Sequence, residues 1–180
     1  MKITFFKIII FSLAIFILTI FYISLKEKNI YSTKNLIGQN ISSFELDSLN
    51  EDLKINEEAL KLNNFTLINF WASWCLPCRL EHKYLMRLKS ESPNLKILGI
   101  NYKDKKNDDN KFILDMGNPF FFLAQDVNGK SSVNFGIFGI PESILINKEL
   151  KVLKKFIGPI NEDDYKDIIK SNSEFQFLFR

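Results

Sequence analysis

The sequence predicts an α/β domain in which helices flank a central mixed sheet. One observation is the apolar, aromatic and β-branched run at residues 65–71, whose composition is typical of a strand buried on both faces. Apolar residues then recur at helical spacing as far as Leu88, and residues 90–93 end this pattern. The strand-then-helix order repeats downstream, and such alternation favours parallel strands joined by a right-handed crossover.

The N-terminal segment differs from the rest of the 180-residue chain. Eighteen consecutive residues, 8–25, carry no charge, and at about 1.5 Å per helical residue such a run just crosses a hydrocarbon core. Lys2 and Lys7 precede it, so the positive-inside tendency places this end in the cytoplasm. We predict an uncleaved transmembrane anchor over residues 1–28. A cleaved signal peptide is the alternative, although residues 22–26 offer no small-residue cleavage site.

The charge distribution supports the same division of the chain. The whole chain has a formal charge of +3, and residues 1–28 alone have +3, because four lysines there accompany one glutamate. The remaining residues sum to zero, which argues against a basic patch for nucleic acid. We predict that the polar residues 29–40 form a linker and that residues 41–180 form the folded domain.

The remaining elements follow from the same patterns. Apolar or alternating runs predict five more strands, at residues 41–49, 95–100, 120–124, 142–146 and 151–156. The last two flank a turn and are expected to form an antiparallel hairpin at the sheet edge. Start and stop signals predict one helix from Asp108 to Gly117 and another that begins at Asn161. Residues 56–61 are typical of a short helix or turn.

Cys75 and Cys78 are the only cysteines in the chain, and they lie where the first strand leads into the first turn of a helix. The first N–H groups of a helix lack partners, so these groups and the macrodipole stabilise a thiolate at Cys75. Pro77 suits this first turn, since no hydrogen bond is lost there. Cys78 lies one turn further in and is more shielded. The arrangement predicts Cys75 as the attacking nucleophile and Cys78 as the resolving thiol in thiol–disulfide exchange.

The segment Trp-Ala-Ser-Trp-Cys-Leu-Pro-Cys at residues 71–78 resembles the active-site motif of the thioredoxin superfamily. Further stretches narrow the resemblance to the membrane-anchored thioredoxins of cytochrome c maturation, the CcmG/DsbE type: Trp-Cys-x-x-Cys-Arg-x-Glu-His at 74–82, Asn-Tyr-Lys-Asp at 101–104, Gly-Asn-Pro at 117–119 and Gly-Ile-Phe-Gly-Ile-Pro-Glu at 136–142. The resemblance implies a thioredoxin-like fold. An inert pair of cysteines or a structural disulfide is the alternative, but neither needs the strand-turn-helix context.

The resemblance also implies a substrate-binding surface. In this superfamily the proline that faces the cysteines follows a cis peptide bond, a role that falls on Pro141, and its preceding residue, Ile140, offers backbone groups to a substrate strand. Trp74, beside the first cysteine, belongs to the same surface. An ordinary turn proline is the alternative reading of Pro141.

Two acidic residues are implied as proton carriers. The strand position that often holds a buried Asp in thioredoxins is Asn69 here, which cannot exchange a proton. By resemblance, Glu81 and Glu142 lie near the thiols, where burial would raise their pKa values and let them move protons to or from Cys78. The alternative is that both glutamates are surface acids.

His82 offers a different interpretation of the same helix. Cys75, Cys78 and His82 recur at helical spacing and make a possible Cys₂His ligand set, which would suit a metal-delivery protein. The redox interpretation already accounts for both cysteines, so no metal site is predicted.

The resemblance implies a single-pass protein of a bacterial inner membrane whose catalytic domain faces the periplasm. Reduced Cys75 would act on a disulfide of apocytochrome c or of a cytochrome c maturation protein, and a transmembrane thiol reductant would restore the dithiol. No dissociable cofactor is expected. A general extracytoplasmic reductase or oxidant is the alternative, because the direction depends on the relative stability of the thiolates.

Overall fold

The computed structural model describes residues 2–26, 36–105 and 107–178, and of these it describes no side chains for residues 2–5, 23–26 and 173–178. The chain divides into two compact units, Met1–Ser32 and Thr33–Arg180. Most of the predicted linker lies outside the described residues, so its limits stay a prediction.

The first unit contains the helix α1, Lys2–Lys26. A transmembrane anchor was expected here. The helix is present, and its described side chains, those of residues 6–22, are exposed. Among the residues that the structure describes, no helix combines the length and the apolar character needed to cross a membrane.

The second unit is built on one mixed sheet flanked by helices. Its described strands are β1 (Glu45–Ser48), β2 (Lys54–Asn56), β3 (Phe65–Trp71), β4 (Leu95–Tyr102), β5 (Phe122–Asp126), β6 (Glu142–Asn147) and β7 (Val152–Ile157). Its described helices are α2 (Glu57–Leu60), α3 (Leu76–Glu91), α4 (Asp108–Met116), α5 (Lys130–Asn134) and α6 (Glu162–Leu178). The strands lie in the order β2-β1-β5-β4-β3-β6-β7, which confirms the predicted α/β architecture.

Strand pairing gathers three chain segments at one edge of the sheet. β3, β4 and β5 are parallel, as the alternation predicted, and β6 runs antiparallel to β3. The residues that follow β3 therefore lie beside those that follow β4 and those that precede β6. In this register Trp71 pairs with Asn101, and Phe70 pairs with Glu142. β7 pairs with β6 at the sheet edge, which confirms the predicted hairpin.

The core forms two apolar clusters, and β3 contributes to both. All seven of its residues are buried, and alternate side chains point to opposite faces because the strand has a two-residue period. Leu67 and Trp71 join the cluster that contains both cysteines and residues of α3, α4 and α6. Ile68 and Phe70 join the other cluster. The first cluster is therefore the one that supports the cysteines.

Some local elements differ from the sequence prediction. The strand predicted at 41–49 is limited to β1, and the strand predicted at 120–124 starts and ends two residues later, as β5. The sequence did not predict β2, which has three residues and forms by pairing Ile55 with Leu46. It also did not predict α5, whose backbone is held by Asp126, because the N–H and hydroxyl of Ser132 both donate to that carboxylate at 2.7 Å.

Candidate active site

The two cysteines lie at the start of α3, where the sequence placed them. Cys75 is the N-cap residue, its Sγ accepts a hydrogen bond from the N–H of Cys78 at 3.2 Å, and Pro77 lies in the first turn. Cys75 and Cys78 form a disulfide with 5.3 Å between their Cα atoms. Their exposed fractions are 4% and 2%. A sulfur at the N-cap faces the unpaired N–H groups of the helix, which favour a thiolate.

Ser73 holds the loop before Cys75 through hydrogen bonds to Asp104 and Arg79. The N–H and the hydroxyl of Ser73 donate to the two oxygens of Asp104, at 2.6 and 2.7 Å. Asn101 donates to the same carboxylate at 2.9 Å, and Arg79 donates to the carbonyl of Ser73, also at 2.9 Å. Arg79 and Asp104 were not predicted as site residues, although both belong to motifs that carried the resemblance. They hold the strand-to-helix turn that presents Cys75.

Glu81 lies three residues after Cys78 in α3 and is buried, with 1% of its surface exposed. Its Oε1 accepts a hydrogen bond from the side chain of Asn69 and its Oε2 accepts one from the N–H of Ile160, both at 2.8 Å. Burial raises the pKa of Glu81 to about 7, since the two hydrogen bonds offset only part of the desolvation. The surface-acid alternative is therefore wrong for Glu81.

Cys78 and Glu81 border a common gap between β3 and α3. Its other lining residues are Asn69, Trp71, His82, Leu85, Phe112 and Phe120. The gap is too small to hold a water molecule. Because residues three apart on a helix share a face, the carboxyl lies on the side of α3 that carries the resolving sulfur. A group with a pKa near neutrality in this position suits proton exchange with Cys78.

Glu142 occupies a different environment at the start of β6. The peptide bond between Ile140 and Pro141 is cis, as the resemblance implied. The Oε1 of Glu142 accepts hydrogen bonds from the N–H groups of Phe138 and Gly139, both at 3.1 Å. Glu142 is 4% exposed, so it is also not a surface acid. The carboxylate of Glu142 therefore holds the loop that precedes β6 through these two hydrogen bonds.

The loop before β6 lies against the cysteine cluster. Ile140 packs on the apolar residues around Cys75 and Cys78. Trp74 is 60% exposed and Phe138 is 67% exposed. An exposed aromatic side chain thus lies on each segment, Trp74 directly before Cys75 and Phe138 in the loop before the cis peptide. Such apolar groups suit the docking of a peptide.

His82 does not join the cysteines in a ligand set. Its Nε2 lies 3.0 Å from the carbonyl oxygen of Gly117, and its ring packs edge-on against Phe112, with 5.2 Å between centroids. Burial lowers the pKa of His82, which favours the neutral ring. Among the side chains that the structure describes, no three His, Cys, Asp or Glu residues are grouped to hold a metal ion.

Comparison with known proteins identifies the family. Residues 37–169 match the Redoxin family. The chain belongs to this family. This redoxin is 33% identical over 128 residues to the thiol:disulfide interchange protein HelX of Rhodobacter capsulatus, a match that covers 71% of the chain and 72% of the relative. It is 31% identical over 134 residues to the thiol:disulfide interchange protein DsbE of Vibrio cholerae, covering 74% and 72%.

Solved structures agree on the fold. A thiol-disulfide oxidoreductase from Bacteroides fragilis superposes with a TM-score of 0.64 at 24% identity, covering 74% of this redoxin and 98% of that chain. These comparisons confirm the thioredoxin-like fold and the resemblance to the DsbE type. The redoxin is a thiol:disulfide oxidoreductase.

Proposed function

We propose that this redoxin reduces partner disulfides during cytochrome c maturation, on the outer face of a bacterial inner membrane. The observation that supports the proposal best is the arrangement of Cys75, Cys78 and Glu81. It combines a sulfur at a helix N-terminus, a shielded second sulfur and a buried carboxyl whose pKa is raised to about 7.

In the first step, the thiolate of reduced Cys75 attacks one sulfur of a partner disulfide. The partner's S–S bond breaks, a mixed disulfide forms with Cys75, and the partner's other sulfur leaves as a thiolate that takes a proton. The N-terminal N–H groups of α3 favour the attacking thiolate. The aromatic side chain of Trp74 and the backbone of Ile140 bind the partner segment beside it.

In the second step, Cys78 releases the product. The ionised carboxylate of Glu81 takes the proton of Cys78, whose sulfur then attacks the Sγ of Cys75. The mixed disulfide breaks, the Cys75–Cys78 disulfide forms, and the partner's second sulfur leaves and is protonated. Two electrons pass from the redoxin to the partner, so an external thiol reductant must return two electrons before the next cycle. The reaction needs no dissociable cofactor.

Glu142 enters the proposal in a different role from the one that the resemblance implied. Glu142 pairs with Phe70, so its side chain lies on the face of the sheet opposite that of Asn69. Two backbone N–H groups and a lysine surround its oxygens. These contacts suit a carboxylate that accepts hydrogen bonds and stays in place. We therefore assign proton transfer to Glu81 and loop positioning to Glu142.

The cellular setting is part of the same proposal. The uncharged run at residues 8–25 and the lysines before it support an N-terminal anchor with the catalytic unit in the periplasm, where disulfides persist. The resemblance to the cytochrome c maturation thioredoxins supports apocytochrome c, or a maturation protein that holds it, as the partner, and a DsbE protein is among the relatives of this chain. The electron donor is a transmembrane thiol reductant.

The test uses Cys78→Ser in cells. This variant keeps Cys75 as nucleophile but cannot release the mixed disulfide, so the partner should remain attached through purification and be freed by a reductant. Cys75→Ser, which retains Cys78, is the matched control and should trap nothing.

Adducts with apocytochrome c or a cytochrome c maturation protein would support the proposal. A broad set of unrelated secreted proteins would favour a general oxidoreductase instead. The absence of any adduct would contradict disulfide reduction through Cys75.

A further inference from the structure

Lys155 is a half-buried residue of β7 whose side chain is almost wholly buried against the loop facing the disulfide. Its side chain is 3% exposed, which is rare for lysine unless the ammonium is paired. The Nζ donates to the carbonyl oxygen of Gly136 at 2.6 Å and lies 2.8 Å from the Oε2 of Glu142. The contact between the Lys155 ammonium and the Glu142 carboxylate is an ion pair, and its geometry is not that of a hydrogen bond. The Nζ also lies 5.9 Å from the ring centroid of Phe138.

These contacts connect the two ends of one loop. Gly136 opens the segment that leads to the cis peptide before Pro141, and Glu142 closes it. Glu142 in turn accepts the N–H groups of Phe138 and Gly139. The backbone of Lys155 is itself fixed, because it pairs with Ile144 in the β6–β7 hairpin. One ammonium therefore ties the whole loop to the rigid sheet.

The solvent-facing side of the 136–141 loop is packed less closely than the side that faces Lys155. The side chain of Phe138 is 67% exposed, and a Cβ built on Gly139 would have no atom within 4 Å. The polar contacts beneath the loop therefore act together with the apolar packing of Ile140 to fix the position of the loop.

Fold stability alone is a weak explanation for this ion pair. Burying two charges costs desolvation energy, and an apolar pair of similar volume often serves the fold equally well. A lysine whose polar contacts converge on the loop beside a reactive disulfide has a more specific use.

We propose that Lys155 is a positioning residue for disulfide exchange with peptide substrates, acting through Glu142 and the Gly136 carbonyl. It holds residues 136–141 so that the backbone of Ile140 and the ring of Phe138 align a partner segment with Cys75. This inference rests on the proposed disulfide reduction and deepens it. A small disulfide has no extended chain segment to align on the loop, so its reaction should depend less on Lys155.

The experiment compares two substrates with the reduced full chain. One is a synthetic peptide with a disulfide inside a Cys-x-x-Cys-His segment, the form of a haem-attachment site. The other is glutathione disulfide. The variants are Lys155→Met, which removes the ammonium, and Lys155→Arg, which keeps a cation. Lys154→Met is the matched control, because Lys154 is the preceding residue of β7 and its ion pair with Asp167 is partly exposed.

For Lys155→Met we expect the second-order rate constant with the peptide to fall on the order of 10- to 100-fold, since small displacements of reacting groups have effects of this size. The loss should appear mainly as a higher KM. The rate with glutathione disulfide should stay within about twofold. Lys155→Arg should recover most of the peptide rate, because it keeps a charged donor for the Gly136 carbonyl and Glu142. Lys154→Met should match the wild type on both substrates.

If Lys155→Met does not fold, the double variant Lys155→Met/Glu142→Gln replaces it, because this pair removes both charges and leaves an amide oxygen for the loop N–H groups. The same selective loss is then expected. Equal loss on both substrates, or no loss on the peptide, would overturn the inference. A wild-type chain that reacts with neither disulfide would instead overturn the proposed function.

Discussion

Replacing Glu81 by Gln should remove a pH dependence of stability that the oxidised wild-type chain carries. Burial raises the pKa of Glu81 to about 7 in the folded chain, against an ordinary value of 4.5. The folded state therefore binds the Glu81 proton more tightly than the unfolded state. The stability that comes from this proton is complete below the ordinary pKa and is lost as the pH rises through the folded value. At about 1.4 kcal/mol for each pH unit between the two values, the loss is roughly 3 kcal/mol.

The assay is urea denaturation of the oxidised wild type and Glu81→Gln at a series of pH values from about 4 to about 8. Subtracting the two free energies of unfolding cancels groups common to both chains. His82 is one of these, and its lowered pKa gives stability that is lost as the pH falls, the opposite direction. Asn69 and Ile160 each donate a hydrogen bond to one oxygen of Glu81, and Gln leaves one of these two donors without an acceptor. This loss lowers the free energy of unfolding of the variant by about 1–3 kcal/mol at every pH.

The difference between wild type and variant should therefore shrink by roughly 3 kcal/mol from the acidic to the alkaline end of the series. A difference that stays constant within about 1 kcal/mol would refute a raised pKa for Glu81. The same variant should slow release of the mixed disulfide by on the order of 10²-fold at neutral pH, because Cys78 loses its proton acceptor. An unchanged release rate would refute that role.

Two further substitutions test the supports of the site. Asp104→Asn should lower the free energy of unfolding by about 1–3 kcal/mol and slow the reaction of Cys75, because the two donors of Ser73 use different oxygens of Asp104 and an amide keeps only one accepting oxygen. Urea denaturation and thiol alkylation rates would show this, and exposed Asp115→Asn should change neither. Gly99→Ala should cost about 1–3 kcal/mol by overpacking, since its Cβ would come within 2.6–2.8 Å of the buried ring of Phe120. Gly139→Ala, with no atom within 4 Å, should leave stability unchanged in the same assay.

Much of the fold follows from patterns that act over a few residues. The run at residues 65–71 is apolar throughout, and β3 is indeed buried on both faces. Pro77 and the apolar spacing after it predict the helix that Cys75 caps. The sequence did not predict β2 or α5, because neither element has enough residues to show a hydrophobic periodicity. Each forms through contacts with another segment, as Asp126 does for α5.

The sequence by itself determined the α/β class, the strand-to-helix junction and the two sulfurs at its helical end, because hydrophobic period and helix-start chemistry are local properties. Only the tertiary structure decided what surrounds the two glutamates. Glu81 meets the N–H of Ile160, which is 79 residues away in the chain, and Glu142 meets Lys155 from the neighbouring strand. Burial and charge pairing depend on which distant segments pack together, so identical side chains acquire different chemistry that no local pattern records.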